Sequence, residues 1–209
     1  MREIALRDLD SLAKRYYSGE ESIQAAANRF TKTELVEFLR PYTGELERAV
    51  REMTPGQIAS RLPGAPDSSD ASGDERHFNT SQIVTHVVSG LTYHWRGIAR
   101  ALRHETPAFT RPPEGAQTTG RKGSILGAGG WNGVPGPELA QLLHETADRF
   151  LAYLDGLPSQ LDESDRIKFA TLEELNAHGW LFLAAIHPAL HLHQLRVMQA
   201  QLDYPRETN

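Results

Sequence analysis

Apolar residues recur at helical spacing through most of the chain, and segments rich in Gly, Pro, Ser and Asp separate these stretches. No run has the alternation of a convincing strand. The pattern predicts helices over about 3–17, 20–30, 34–53, 81–102, 137–154 and 171–202. Four of them are long, and four long helices with crossover loops predict an all-α fold, an up-and-down four-helix bundle.

Start and stop signals support two of these long helices. Thr31 with Glu34, and Thr171 with Glu174, have the spacing of a capping box, which predicts a helix start at each pair. Pro188 lies inside the last predicted helix and removes one backbone hydrogen bond there, which predicts a bend near its middle.

The last predicted helix is the most apolar part of the chain, yet His187 and His191 lie one turn apart within it. They fall near the centre of an arc of apolar positions: Trp180, Leu183, Ala184, Leu190, Val197 and Met198. An imidazole buried there costs about 1–3 kcal/mol unless its ring nitrogens find partners. Residues four apart face the same way, so one divalent cation could partner both rings. Two separately hydrogen-bonded histidines are the alternative.

Composition narrows the range of functions. The chain has 209 residues, no cysteine, and a formal net charge of −5. The acidic balance argues against nucleic acid as a partner, and the lack of cysteine excludes thiolate ligands and a cysteine nucleophile. The N-terminus lacks the apolar core of a secretion signal and no apolar run is long enough to span a membrane, so a cytoplasmic location is expected.

A three-histidine site with an open position is the usual catalytic zinc pattern, so a third imidazole is needed. His86 and His94 lie on the helix predicted over 81–102, about 12 Å apart along its axis, and only one of them can join the pair. Periodicity does not choose between them. The other histidines are placed in loops, on polar faces or too far along the last helix: His77, His104, His144, His178 and His193.

Two segments carry a resemblance to a known family. The stretch Thr80-SQIVTHVVSGLTYHW, and the stretch Thr171-LEELNAHGWLFLAAIHPALHLHQL, resemble the second and last bundle helices of DinB/YfiT-like proteins. The resemblance covers roughly residues 33–202. It implies a four-helix bundle over 31–205 with a metal site of His86, His187 and His191, and it gives His94 no counterpart. Residues 1–30 are then an N-terminal helical extension that the family pattern lacks.

The same resemblance implies a divalent cation, Zn²⁺ or Ni²⁺, and a low-molecular-weight thiol such as bacillithiol or mycothiol as cosubstrate. The expected function is a thiol-dependent, S-transferase-like enzyme or a metal-assisted hydrolase that acts on a small molecule; a homodimer is expected by analogy. The alternative is a non-catalytic, stress-associated or interaction bundle whose ion is structural. No catalytic acid or base can be named.

The remaining candidates concern the pocket around the ion. Gln194 lies one turn beyond His191, where it could hydrogen-bond a ligand or simply add polarity between helices. Tyr93 and His94 are candidates to line the pocket. Trp131 lies in a long glycine-rich loop, residues 105–136, which is either a lid over the site or a plain surface loop.

Overall fold

A computed structural model describes residues 20–62, 78–111, 113, 117–118, 130–169 and 173–202, and most of them are helical. In chain order the helices are α1 (Ile23–Ala27), α2 (Lys32–Arg51), α3 (Pro55–Ala59), α4 (Thr80–Ala101), α5 (Gly136–Asp155) and α6 (Ala177–Gln201). This mostly helical structure is compatible with the all-α class predicted from the sequence. The helix predicted over 3–17 lies outside the described residues.

The expectation that the chain has no strands is wrong in two places. Strand β1 (Gln117–Thr118) pairs antiparallel with β2 (Trp131–Asn132), and β3 (Ile167–Phe169) pairs antiparallel with β4 (Glu173–Leu175). Strands of two or three residues are too short to produce a detectable alternation of apolar and polar positions.

The predicted start of the last helix is also wrong. Glu174 pairs within β4, and the helix begins after Asn176, whose side-chain oxygen accepts a hydrogen bond of 3.0 Å from the backbone N–H of Gly179. Thr171, the other half of the predicted capping box, lies outside the described residues. Pairing with β3 holds residues 173–175 extended. This contact between strands therefore prevents the helix start that the local capping pattern predicted.

Each of the four long helices packs against two others. Helix α2 contacts α5 and α6, and α4 contacts the same two helices. The core between them is apolar. Within the described residues, no helix combines the length and the apolar character needed to cross a membrane.

Helix α6 is buried on more than one side, whereas the sequence pattern predicted a single buried arc of apolar residues. Leu181 and Phe182, which are not part of that arc, are buried, whereas Val197, which is part of it, is 39% exposed. A helix that is apolar all round is a buried helix, and its inward face cannot be derived from periodicity.

The segment before α2 packs on the beginning of α6. The backbone N–H of Ile23 donates to Glu173 Oε1 at 2.7 Å, and Gln24 Oε1 accepts from the backbone N–H of Asn176 at 3.1 Å. Residues 20–30 thus anchor the helix that carries two of the candidate ligands. The boundary between an extension and a bundle domain stays a prediction.

Candidate metal centre

The structure brings together the three histidines that the resemblance implied. His86 comes from α4, and His187 and His191 come from α6. One ring nitrogen of each lies within 4.8 Å of the other two. The ring centroids are 4.6–4.8 Å apart, and the rings stand roughly edge to face.

The spacing of these nitrogens suits a single cation. Nε2 of His187 lies 3.1 Å from Nε2 of His191. Two imidazole nitrogens bound tetrahedrally at about 2.0–2.1 Å from zinc lie about 3.3 Å apart. The observed separation is close to this value, so small ring movements would bring both nitrogens to ligand distance.

Two glycines on α4 make room for side chains of α6. A Cβ at position 90 would lie 2.2 Å from Cε1 and 2.6 Å from Nδ1 of His187, and a Cβ at position 97 would lie 2.2 Å from Cδ2 of Trp180. Later positions on α4 thus face earlier positions on α6, so the two helices run antiparallel. Neither glycine was predicted to matter; a glycine inside an apolar helix is the only local signal of such close approach.

Gln194 sets the proton position on one of the three rings. Its Oε1 lies 2.9 Å from Nδ1 of His191. An amide oxygen can only accept, so Nδ1 of His191 carries the proton and donates it. The lone pair of His191 is then on Nε2, the nitrogen that lies beside His187. This arrangement is typical of metal-bound histidines, whose second ring nitrogen donates to an oxygen.

Burial favours the neutral imidazole at this site. His86 is 2% exposed and His191 4% exposed. Residue His187 keeps some exposure as a whole, but its Nδ1 is buried and has no hydrogen-bond partner among the described residues. Burial, with contributions from His191, His86 and His94, holds the pKa of His187 well below its usual value. Metal ligation needs an uncharged imidazole ring.

His94 lies beside the cluster without belonging to it. Its ring centroid is 5.3 Å from that of His187 and 6.2 Å from that of Trp180. Burial, and to a lesser degree His86, lowers the pKa of His94 to about 3. The structure therefore places both candidate histidines of α4 against α6, and only His86 reaches the other two ligand atoms.

Tyr93 and Trp131, two further pocket candidates, have other surroundings. The ring of Tyr93 packs edge to face on Trp180 at 5.4 Å. Trp131 is buried at the beginning of α4, where the adjoining Gly130 lies over Gln82. Residues 119–129 of the same loop lie outside the described residues, so a lid role stays a prediction.

The remaining described histidines have other surroundings. Nε2 of His178 contacts the backbone oxygens of Ala27 and Phe30 at 3.1 and 2.8 Å. As predicted, His144 is exposed; it contacts Glu47 and Asp148. His193 is exposed, as expected from its angle on the helix, and His104 contacts a tyrosine hydroxyl. His77 lies outside the described residues.

Comparison with known proteins does not extend these observations. No family model matches the chain, and neither a curated protein nor a solved structure matches it significantly. The likeness to DinB/YfiT-like proteins therefore remains an expectation from two sequence segments.

Proposed function

We propose that this chain is a metal-dependent enzyme of the DinB-like type, in which His86, His187 and His191 hold one divalent cation, Zn²⁺ or Ni²⁺. The observation that carries the proposal is the meeting of one nitrogen from each ring within 4.8 Å. Imidazole suits both metals, and three neutral imidazoles leave the double charge of the cation intact.

The bundle architecture is part of this proposal. Every long helix packs against two of the other three, and α4 and α6 run antiparallel. Both features are those of an up-and-down four-helix bundle, in which facing helices build metal sites from inward-directed side chains.

Catalysis is favoured by the number of ligands. Within the described part of the chain, no fourth His, Asp or Glu joins the group. Three protein ligands with an open position are the usual catalytic arrangement, whereas structural sites are closed by four. A cation there would supply a Lewis acid able to activate a water molecule or a thiol at neutral pH.

The surroundings of His187 and His191 favour the protonation state in which an imidazole binds a metal ion. Gln194 accepts the N–H of His191, which leaves the Nε2 lone pair of that ring available. Burial keeps His187 uncharged. Because the chain has no cysteine, any thiol in the reaction must come from a small cosubstrate, as in a bacillithiol- or mycothiol-dependent transferase. A hydrolase would use water at the same position.

A structural ion is the second candidate function. The burial of His86 and His191 between α4 and α6 favours it, because an ion there would join two helices at their interface. The chain would then be a non-catalytic metal-binding or interaction bundle.

Metal content tests the ligand assignment. The chain and the variants His86→Ala, His187→Ala and His191→Ala are loaded with Zn²⁺ or Ni²⁺, freed of excess metal and measured by mass spectrometry. We expect about one ion per chain in the parent and almost none in the variants, since the loss of one ligand of three removes most of the affinity. His193→Ala, which changes an exposed histidine of the same helix, should retain the ion. Stoichiometric metal in any ligand variant contradicts the assignment.

Spectroscopy of the Co²⁺ form separates the two functions. An open position should admit a low-molecular-weight thiol such as 2-mercaptoethanol and produce a new thiolate-to-cobalt absorption band. A closed structural site should leave the spectrum unchanged, and His191→Ala should then lower the melting temperature sharply along with the loss of metal.

A further inference from the structure

Two buried rings next to the histidine trio carry nitrogens that no described residue satisfies. His94 is 5% exposed and Trp180 is 1% exposed. His94 Nδ1 and Trp180 Nε1 are both buried and lack a hydrogen-bond partner among the described residues. Buried polar groups in folded proteins are nearly always hydrogen-bonded, so two such nitrogens in adjoining rings point to a polar ligand.

These two rings continue directly from the metal centre. The ring of His94 contacts that of His187 on one side, at 5.3 Å between centroids, and that of Trp180 on the other, at 6.2 Å. Trp180 fits against Gly97, where any Cβ would lie 2.2 Å from its ring, so its position is fixed by close packing. The unsatisfied nitrogens are therefore held on rigid helices rather than on a loop.

Aromatic side chains flank Trp180. Tyr93 and Phe169 each approach its ring nearly edge to face, with centroids 5.4 and 5.3 Å away. Phe169 comes from β3, so the hairpin between α5 and α6 supplies one side of this aromatic group. Rings of this kind favour contact with a flat apolar group.

We propose that His94 and Trp180 form a substrate subsite beside the metal centre, and that it binds the oxygen of a small aryl carboxylate. The indole N–H can only donate, so the ligand must present an acceptor to Trp180, and the Nδ1–H tautomer of neutral His94 would donate to the same ligand. The preference for an anion rests on the proposed function, because the charge of the cation is not neutralised by any carboxylate in the described ligand group.

The test uses benzoate and the indole N–H signals of the zinc-loaded, ¹⁵N-labelled full chain. The chain has three tryptophans, so single Trp→Phe variants assign the signals. We expect benzoate to shift the Trp180 signal saturably. Benzylamine, which has the same ring and no acceptor oxygen, should not. Trp95 is the internal control, since its Nε1 is also buried and unsatisfied among the described residues but its ring packs on Phe150 and Tyr153.

Variants of His94 complete the test. His94→Phe should weaken benzoate binding about tenfold, as expected for the loss of one hydrogen bond to a charged ligand. His94→Gln keeps a donor and should recover most of the affinity. Unchanged signals of Trp95 and Trp131 report that each variant is folded.

The outcomes separate this inference from the proposed function. A Trp180 signal that ignores benzoate, or an affinity that His94→Phe leaves unchanged, contradicts the subsite. Zinc content is measured on the same samples, and a parent chain that takes up no zinc contradicts the metal centre. In that case benzoate is titrated into the metal-free chain, and a saturable shift of the Trp180 signal supports the subsite whereas an unchanged signal contradicts it.

Discussion

Burial alone does not distinguish a candidate ligand from a structural histidine in this molecule. His178 is 7% exposed, yet its Nε2 lies within 3.1 Å of two backbone oxygens, which satisfy it. His86 and His191 are just as buried, but their rings meet each other and His187. The convergence of several imidazoles, rather than the burial of one, is what identifies the site.

Gly90 leaves the space that the imidazole of His187 occupies. In Gly90→Ala the new methyl group would lie 2.2 Å from Cε1 of His187, so the imidazole must move. We expect the affinity for Zn²⁺ to fall about 10–100-fold, the usual effect of disturbing the support of a ligand. Competition with a chelating dye measures it.

Gly44→Ala on α2 is the matched control. The added Cβ would lie 3.6 Å from Nη1 of Arg48, an ordinary contact. It should leave Zn²⁺ affinity unchanged and raise the free energy of unfolding by about 0.5–1 kcal/mol, because alanine favours the helix. Equal zinc affinities in the two alanine variants would contradict the role given to Gly90.

Helices α4 and α6 meet in a register that explains the site. His86 contacts His191, Gly90 faces His187, and Gly97 faces Trp180. Steps of four and then seven residues along α4 match equal steps in the opposite direction along α6. Both spacings return to the same face of a helix, so the candidate ligands and the aromatic group lie along one line of contact between the two helices.

The beginning of α6 is fixed by a cap, Asn176, whose side chain also binds the segment before β3. Oδ1 of Asn176 accepts from the N–H of Gly179, and Nδ2 of Asn176 donates to the backbone oxygen of Asp162. Asn176→Ala removes both bonds in a buried place. We expect the free energy of unfolding to fall by about 2 kcal/mol, measured by urea denaturation.

An exposed cap provides the comparison for Asn176. Thr31 caps α2 through Glu34 alone, and Thr31→Ala should cost only about 1 kcal/mol. If the two variants lose the same stability, the second bond of Asn176 contributes nothing. Zinc content should be unchanged in both.

Several parts of the chain that are distant in sequence meet around α6. The segment at 20–30 holds its beginning, the β3–β4 hairpin places Phe169 beside Trp180, and α4 supplies His86 and the two glycines. The site is therefore a property of the folded chain, and changes in pH or metal that act on the site should alter the stability of the whole protein.

Acid should destabilise the metal-free protein. Burial lowers the pKa of His94 to about 3 and holds that of His187 well below its usual value. Below pH 6.5 the unfolded chain binds protons at these residues and the folded chain does not, so stability falls as the pH falls. Between pH 7 and pH 5 we expect His94 to contribute a loss of about 2 kcal/mol and His187 a further loss in the same direction, measured by urea denaturation.

Variants of single histidines show how much each ring contributes to the loss of stability at pH 5. His94→Phe should reduce the difference between pH 7 and pH 5 by about 2 kcal/mol, because the buried ring whose pKa is about 3 is removed. His193→Gln, which changes an exposed side chain, should retain the full difference. A parent protein equally stable at both pH values would show that the two rings accept protons in the folded state.

The pattern of apolar positions predicts the helical class and four long helices, because a helix that buries one face must repeat apolar residues every three or four positions. Thr31 and Glu34 form the predicted capping box at the beginning of α2. The last helix is where local signals fail: Asn176, rather than Thr171, precedes it, since strand pairing holds residues 173–175 extended.

The chain alone therefore specifies which side chains are available: two histidines one turn apart in the most apolar helix, a further pair on another helix, and no cysteine. The packing of α4 against α6 brings His86, rather than His94, to the other two histidines and leaves no room for a side chain at Gly90. The physical reason is that periodicity describes directions within one helix, whereas a ligand set depends on the distance between two helices and on their register, which arise only when the core packs.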